Sequence, residues 1–284
     1  MRRAYFYHSF PRHKDRHLGL KILRSILERG LLLTAESRPI AGCVGLRAKK
    51  FIQTRVCFTA LTPDRVAGHS EKFGAFSFEF DVGTLREFGA LPAFYLPGQL
   101  PGGEIFNDAG DEVARHLLAA HDVLRRLWKM HDDGTVAEKK LARAVLRRVK
   151  PEKKLIQELF FTLQTLLNLY YPTDDSKWTG PLGYYEQREW KITPNLSYDG
   201  TWHYQSLGPK DRAALIALNP IFFGKKIRGK SRAALCYHFA DVAGRNVVAS
   251  ARRIIVPDHF VSQARAIVRD TGHQIPVVAT SRIK

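Results

Sequence analysis

Phe76, Phe78 and Phe80 alternate with Ser77 and Glu79. Only an extended strand, whose side chains repeat every two residues, sets three such rings on one face. That stripe must be covered, so a sheet with a packed apolar side is the frame into which the other segments fit. Ala4-Tyr5-Phe6-Tyr7-His8 is short and aromatic-rich, as suits a buried strand. Arg55-Val56-Cys57-Phe58-Thr59 and Pro92-Ala93-Phe94-Tyr95-Leu96 are further strand candidates, the second closed by the turn signals Pro97-Gly98 and Pro101-Gly102-Gly103. Late strand-like pieces follow at Tyr184 to Ile192, Leu235 to Phe239 and Arg253 to Val256.

Helical spacing fills the intervals. Leu20, Ile22, Leu23, Ile26 and Leu27 fall on one helical face, and Gly30 is placed to end that helix in the left-handed conformation. From Asp111 to about Tyr171 the chain reads as a run of helices, with Val113, Leu117, Leu118, His121, Leu124 and Trp128 at helical spacing. Asp132-Asp133-Gly134 breaks the run, Thr135 and Glu138 have capping-box spacing, and Pro151 suits the first turn of a third helix. Pro257-Asp258 opens a last amphipathic helix through Val261, Ala264, Ile267 and Val268, with Gly272 as its stop. No repeat or low-complexity linker divides the chain. The expectation is one α+β domain over 1–284, its single mixed or antiparallel sheet built from both ends and flanked by helices, with a helical lobe inserted at 111–171.

Hydrophobic residues make up 45% of the 284, enough for a proper core and against disorder. Lys and Arg number 45 against 27 Asp and Glu, and the resulting +18 attracts polyanions or an acidic protein. Net charge alone names no site. Cys43, Cys57 and Cys236 are odd in number, far apart and without CxxC spacing, which argues against a disulfide framework or structural zinc and for a reducing compartment. Met1-Arg2-Arg3 is followed by too short an apolar stretch for an export signal. Leu155 to Tyr171 carries Gln157, Glu158, Gln164 and Asn168, so no membrane span is expected, and the cytoplasm is the expected location.

Tyr184-Tyr185-Glu186-Gln187-Arg188-Glu189-Trp190-Lys191 is the densest functional-looking segment. As a strand it points Glu186, Arg188 and Trp190 one way and Gln187, Glu189 and Lys191 the other, so each face pairs opposite charges two residues apart. A carboxylate beside a cation orients a substrate or acts as a base, and it equally well forms a structural ion-pair ladder. Lys225-Lys226-Ile227-Arg228-Gly229-Lys230-Ser231-Arg232 places five cations in eight residues, and Arg125 to Lys154 adds more. Such clusters neutralise phosphates or simply face solvent. His13 with His17, and His116 with His121, do not share a prepared helix face, and no metal site is expected.

The segment resembles the acidic-Arg-Glu-Trp-basic strand of AbiGi-type abortive-infection proteins, and other motifs agree in order. Tyr7-His8 before Ile26-Leu27-Glu28-Arg29-Gly30 is similar to that family's opening; Cys57-Phe58-Thr59, His69, Phe73-Gly74 and Pro92-Ala93-Phe94-Tyr95 are similar to segments that follow it. Gln187 replaces the family's Glu, Lys191 its Arg, and Ser9-Phe10 an aromatic-Thr pair. The resemblance implies a phage-defence protein, antitoxin-like, that binds a cognate toxin of nucleotidyltransferase-like type without a cofactor. His69, Arg188, Trp190 and Lys191 are then the binding candidates. By analogy alone, a first-strand histidine and a late glutamate also suit an ADP-ribosyltransferase, with NAD as cofactor, His8 on its ribose and Glu186 or Glu189 catalytic. A third class is nucleic-acid binding through Lys225, Lys226, Arg228, Lys230 and Arg232.

Overall fold

The computed structural model describes residues 4–11, 16–40, 49–96, 109–149, 153–173, 188–195, 197–198 and 201–283. The chain is α+β and divides into two compact units. One comprises Met1–Glu36, Thr54–Ala93 and Glu186–Lys284, and the other Ser37–Gln53 and Phe94–Tyr185.

The first unit is organised by a mixed sheet. Its strands include β1 (Tyr5–Phe10), β2 (Leu31–Ile40), β3 (Lys49–Leu61) and β4 (Phe76–Phe80), with the later Tyr237–Phe239, Arg253–Val256 and Val277–Ala279 strands. Tyr237–Phe239 pairs β2, β2 adjoins β3, β3 adjoins β1, β1 adjoins β4, and Arg253–Val256 lies between β4 and Val277–Ala279. β1 and β4 run antiparallel from Phe6 opposite Phe80 to Phe10 opposite Phe76. Arg253–Val256 and Val277–Ala279 are parallel, as a helical crossover between them requires.

The phenylalanine stripe behaves as its spacing dictates. Phe76, Phe78 and Phe80 are buried with Phe6, Phe10, Val56, Phe58, Ile254 and Val256 in one core. Leu23, Ile26 and Leu27 of α1 (Arg16–Arg29) belong to the same core, as do Ala264 and Val268 of the Val261–Asp270 helix. At Gly19 the helix approaches β4 so closely that a Cβ would stand 2.3 Å from a ring carbon of Phe76. Gly30 ends α1 at φ 90, its N–H donating to Ile26 O at 2.8 Å. Between β3 and β4 the chain forms α2 (Val66–Phe73), and after β4 it forms α3 (Val82–Glu87).

Several boundaries differ from expectation. The 92–96 strand breaks at Ala93 into β5 (Leu91–Pro92) and β6 (Phe94–Leu96), which pair with different strands. Within the Leu235–Phe239 segment the strand is Tyr237–Phe239, because Arg232–Leu235 forms a 3₁₀ turn that Cys236 leaves in extended conformation. The last helix likewise begins with a 3₁₀ turn at Asp258–Phe260, and Gly272 at φ 76 follows its end.

The second unit holds α4 (Ala109–Asp132), α5 (Val136–Val149) and α6 (Lys153–Leu169). Thus the helical lobe expected at 111–171 groups with residues 37–53 and 94–96, and its helices stop at Leu169. Tyr170–Pro172 is instead β7, parallel to β6, in keeping with the bias of a residue before proline toward extended backbone. The capping box ahead of α5 is reciprocal: Thr135 N donates to Glu138 Oε2 at 2.7 Å and Glu138 N to Thr135 Oγ1 at 3.3 Å. Pro151 lies outside the described residues. Gln53 Nε2 donates to the carbonyls of Leu167 and Tyr170 at 2.7 and 2.9 Å, satisfying acceptors that the end of α6 leaves without helical partners.

Gly19→Ala forces a methyl into the Phe76 ring and is expected to cost about 1–3 kcal/mol in urea unfolding. Gly68→Ala on α2, where nothing lies within 4 Å, is expected to be neutral or to stabilise by up to about 1 kcal/mol.

Candidate functional site on the polar face of the sheet

A strand that sends one set of side chains into an aromatic core sends the alternate set to the opposite side. The register shows which residues meet there. Tyr7 is opposite both Thr59 and Glu79, Glu79 is opposite Arg253, Thr59 is opposite Glu189, and Cys57 is opposite Lys191. β8 (Glu189–Ile192) thus joins β3 on this side of the sheet and also pairs β5. The face is charged and buried: Glu79 and Lys191 are 0% exposed, Arg55 3% and Glu189 4%. A half-exposed ion-pair ladder is therefore not what forms here. Buried charges cost several kcal/mol each unless they are paired and hydrogen-bonded, and these are placed to meet one another.

One knot ties three strands. Glu79 Oε2 accepts from Tyr7 OH at 2.8 Å and from Arg253 Nε and Nη2 at 2.9 and 2.7 Å. Arg252 Nε stands 3.7 Å from the other carboxylate oxygen, its guanidinium 4.5 Å above the Tyr5 ring. Burial, and then the Glu79 carboxylate, push the Tyr7 hydroxyl well above the ordinary tyrosine range. Beside it Ser9 and Ser77 share a 2.7 Å hydroxyl hydrogen bond.

The second knot joins β2, β3 and β8. Lys191 Nζ lies 3.4 Å from Glu189 Oε2, and Arg55 Nη2 lies 3.3 Å from Glu36 Oε2. Burial first, then the Arg55 charge, bring the Lys191 ammonium down from its ordinary 10.5 to about 8, against the opposing pull of Glu189. Burial, then Glu189, push the Cys57 thiol up. Two cations and two carboxylates balance, an arrangement suited to fixing the register of the three strands.

The residues singled out in the sequence separate in the fold. β1 and β8 do share the sheet, both paired to β3, yet His8 and Glu189 occupy opposite faces. His8 is one residue out of phase, and Tyr7 takes the position beside the charges. His8 instead sits among rings, 5.7 Å from Phe58 and 5.9 Å from Phe10, with Nδ1 2.9 Å from the Cys57 carbonyl. Trp190 joins that aromatic side, its ring 4.9 Å from Phe6. Arg188 is exposed at φ 46, and its carbonyl accepts from Ala60 N at 3.3 Å. His69 stacks on Phe73 within α2 at 4.4 Å. Glu186 and Gln187 lie outside the described residues. Sequence reasoning passed over Arg55, Tyr7, Glu79 and Arg253. The available signal was Glu79 itself, a carboxylate set between phenylalanines in the most apolar strand.

The basic segment forms a hairpin. Lys226–Ile227 pairs antiparallel with Lys230–Ser231 across Arg228 and Gly229, at φ 49 and 82. Among the described residues, no group of three or more His, Cys, Asp or Glu is arranged to hold a metal ion, and no helix is long and apolar enough to cross a membrane. No protein-family model matches the chain, and no curated protein or solved structure is similar enough to match it.

Arg253→Met leaves Glu79 buried with the Tyr7 hydroxyl and only the more distant, half-exposed Arg252 for partners and is expected to lower unfolding free energy by ~3–5 kcal/mol, whereas Tyr7→Phe removes one charge-assisted hydrogen bond and costs about 2 kcal/mol, both read by chemical denaturation. The folded pKa of Lys191 lies below its unfolded value, so between them the unfolded chain binds more protons and stability rises with pH. Upward from about 8, with the cysteine thiols, whose ordinary midpoint is 9.0, present in both proteins, wild type should gain stability relative to Glu189→Gln/Lys191→Met; parallel curves would refute the assignment.

Proposed function

We propose that the chain is an antitoxin-like, partner-binding component of an abortive-infection phage-defence system of AbiGi type, acting in the cytoplasm on a cognate toxin. The observation that carries this reading is the convergence of the resembling motifs. Tyr7-His8 on β1, Cys57-Phe58-Thr59 on β3, Pro92 on β5 and Glu189-Trp190-Lys191 on β8 lie in one sheet, with β8 bonded to both β3 and β5. Motifs scattered over the sequence thus belong to a single structural nucleus.

Binding is favoured over transferase chemistry by the disposition of the same residues. An NAD-dependent ADP-ribosyltransferase using His8 and Glu189 needs both on one cleft, and they sit on opposite faces of the sheet. Glu189 is moreover buried beside Lys191, where its charge stabilises a cation instead of a reacting sugar.

The test is co-expression with the product of the adjoining open reading frame. Growth arrest by that product should be relieved by the wild-type chain, and the two proteins should co-purify. Continued arrest at equal expression refutes the reading, as does transfer of label from NAD to lysate proteins that Glu189→Gln abolishes.

A further inference from the structure

Helix α5 turns little of its apolar surface inward. Ala142 is fully buried, and Leu146 meets Leu127 and Trp128 of α4 and Ile156 of α6 around a small apolar recess. Three larger apolar side chains look outward instead: Val136 is 86% exposed, Leu141 57% and Val145 41%. A helix of this length owes most of its stability to the packing of an apolar face, and among the described residues α5 shows more apolar bulk to water than to its own unit.

The outward residues are ordered. Ala137, Leu141, Ala144 and Val145 recur at i, i+4, i+7 and i+8, so they form one stripe, and all four are exposed. Lys140, Arg143 and Arg147, exposed as well, line up beside it at i, i+3 and i+7. The helix carries five Lys and Arg against one Glu, a net charge of 5 − 1 = +4. Its single carboxylate is engaged at the helix start, where Glu138 Oε2 accepts from Thr135 N at 2.7 Å and from Thr135 Oγ1 at 2.9 Å. The exposed surface is therefore apolar along its centre and positive along one margin.

We propose that α5 docks an acidic amphipathic helix of a partner protein, with the partner's apolar side over Leu141 and Val145 and its carboxylates against Lys140, Arg143 and Arg147. Ala137 and Ala144 lie two helical turns apart, and their small side chains let a second helix axis come close. Other occupants fit only part of this surface. A second copy would bring like charge against like. A bilayer draws its gain from bulky apolar and aromatic side chains, and α5 has no aromatic residue and two alanines in its stripe. A nucleic acid would meet the cations and leave Leu141 and Val145 in water. The site does not rest on the toxin-binding reading, since no residue of α5 carries the resemblance to the defence family.

Fluorescence anisotropy of the full chain tests the surface with a labelled three-heptad peptide that has Leu at a and d and Glu at e and g, charges that keep the peptide from pairing with itself. Wild type should bind it, and more tightly than the same peptide with Lys at e and g. Leu141→Ser/Val145→Ser should lose about tenfold or more in affinity, as truncation of central apolar contacts does. Lys140→Ala/Arg143→Ala/Arg147→Ala should lose as much at low salt, with the difference from wild type narrowing as salt is raised. Val123→Ser, which removes an exposed apolar side chain from α4, should bind as wild type does. Should a substituted chain fail to fold, hydrogen exchange on wild type reads the same surface, since the peptide should slow the amides of α5. Absence of peptide binding, equal binding of the Lys peptide, no loss in either α5 variant, unslowed α5 amides, or tighter binding to phosphatidylserine vesicles than to the peptide would each overturn the proposal. Growth rescue by co-expression is scored separately, so failure of one proposal leaves the other standing.

Discussion

The carboxylate of Glu79 has no solvent to turn to, and the central sheet is arranged around that fact. Its charge is met by Arg253 from one neighbouring strand and by a hydroxyl of Tyr7 from the other, so β1, β4 and Arg253–Val256 cannot slide past one another without stranding a buried anion. A shift of one residue would also turn the phenylalanine stripe out of its core. The aromatic side and the ionic side therefore specify the same register by two different penalties. On the ionic side, Lys191, Glu189, Arg55 and Glu36 extend this logic to β2, β3 and β8.

Such a network contributes less to net stability than its short distances suggest, because desolvation offsets most of the attraction. Its stronger effect is on alternatives: a misregistered sheet leaves at least one of these charges buried alone. The lowered affinity of Lys191 for its proton follows from the same confinement.

Much of the architecture was legible from spacing. The alternation of Phe76, Phe78 and Phe80, the capping pair Thr135 and Glu138, and the stops at Gly30 and Gly272 are local rules that tertiary structure did not override. The site was harder to read. Which face a strand residue occupies depends on phase, and single residues decide it: His8 and Tyr7 are neighbours, but only Tyr7 reaches the buried charges. Glu79 and Arg253 are 174 residues apart, and no local pattern announces that they meet. The pairing of Glu189 with Lys191 was legible because both lie on one strand, two residues apart; their burial was not, since it depends on elements elsewhere in the chain.

The order in which the strands are made has a consequence for the growing chain on the ribosome. β1 and β4 emerge early, whereas Arg253 leaves the tunnel only after more than half of the chain has been synthesised beyond β4. Until then Glu79 lacks its guanidinium and the outer edge of β4 lacks its neighbour, so a phenylalanine-rich edge stands open during translation. Pairing of β4 with Arg253–Val256 therefore waits on closure of a long loop, and until it closes that edge is the part of the sheet most open to pairing with other strands.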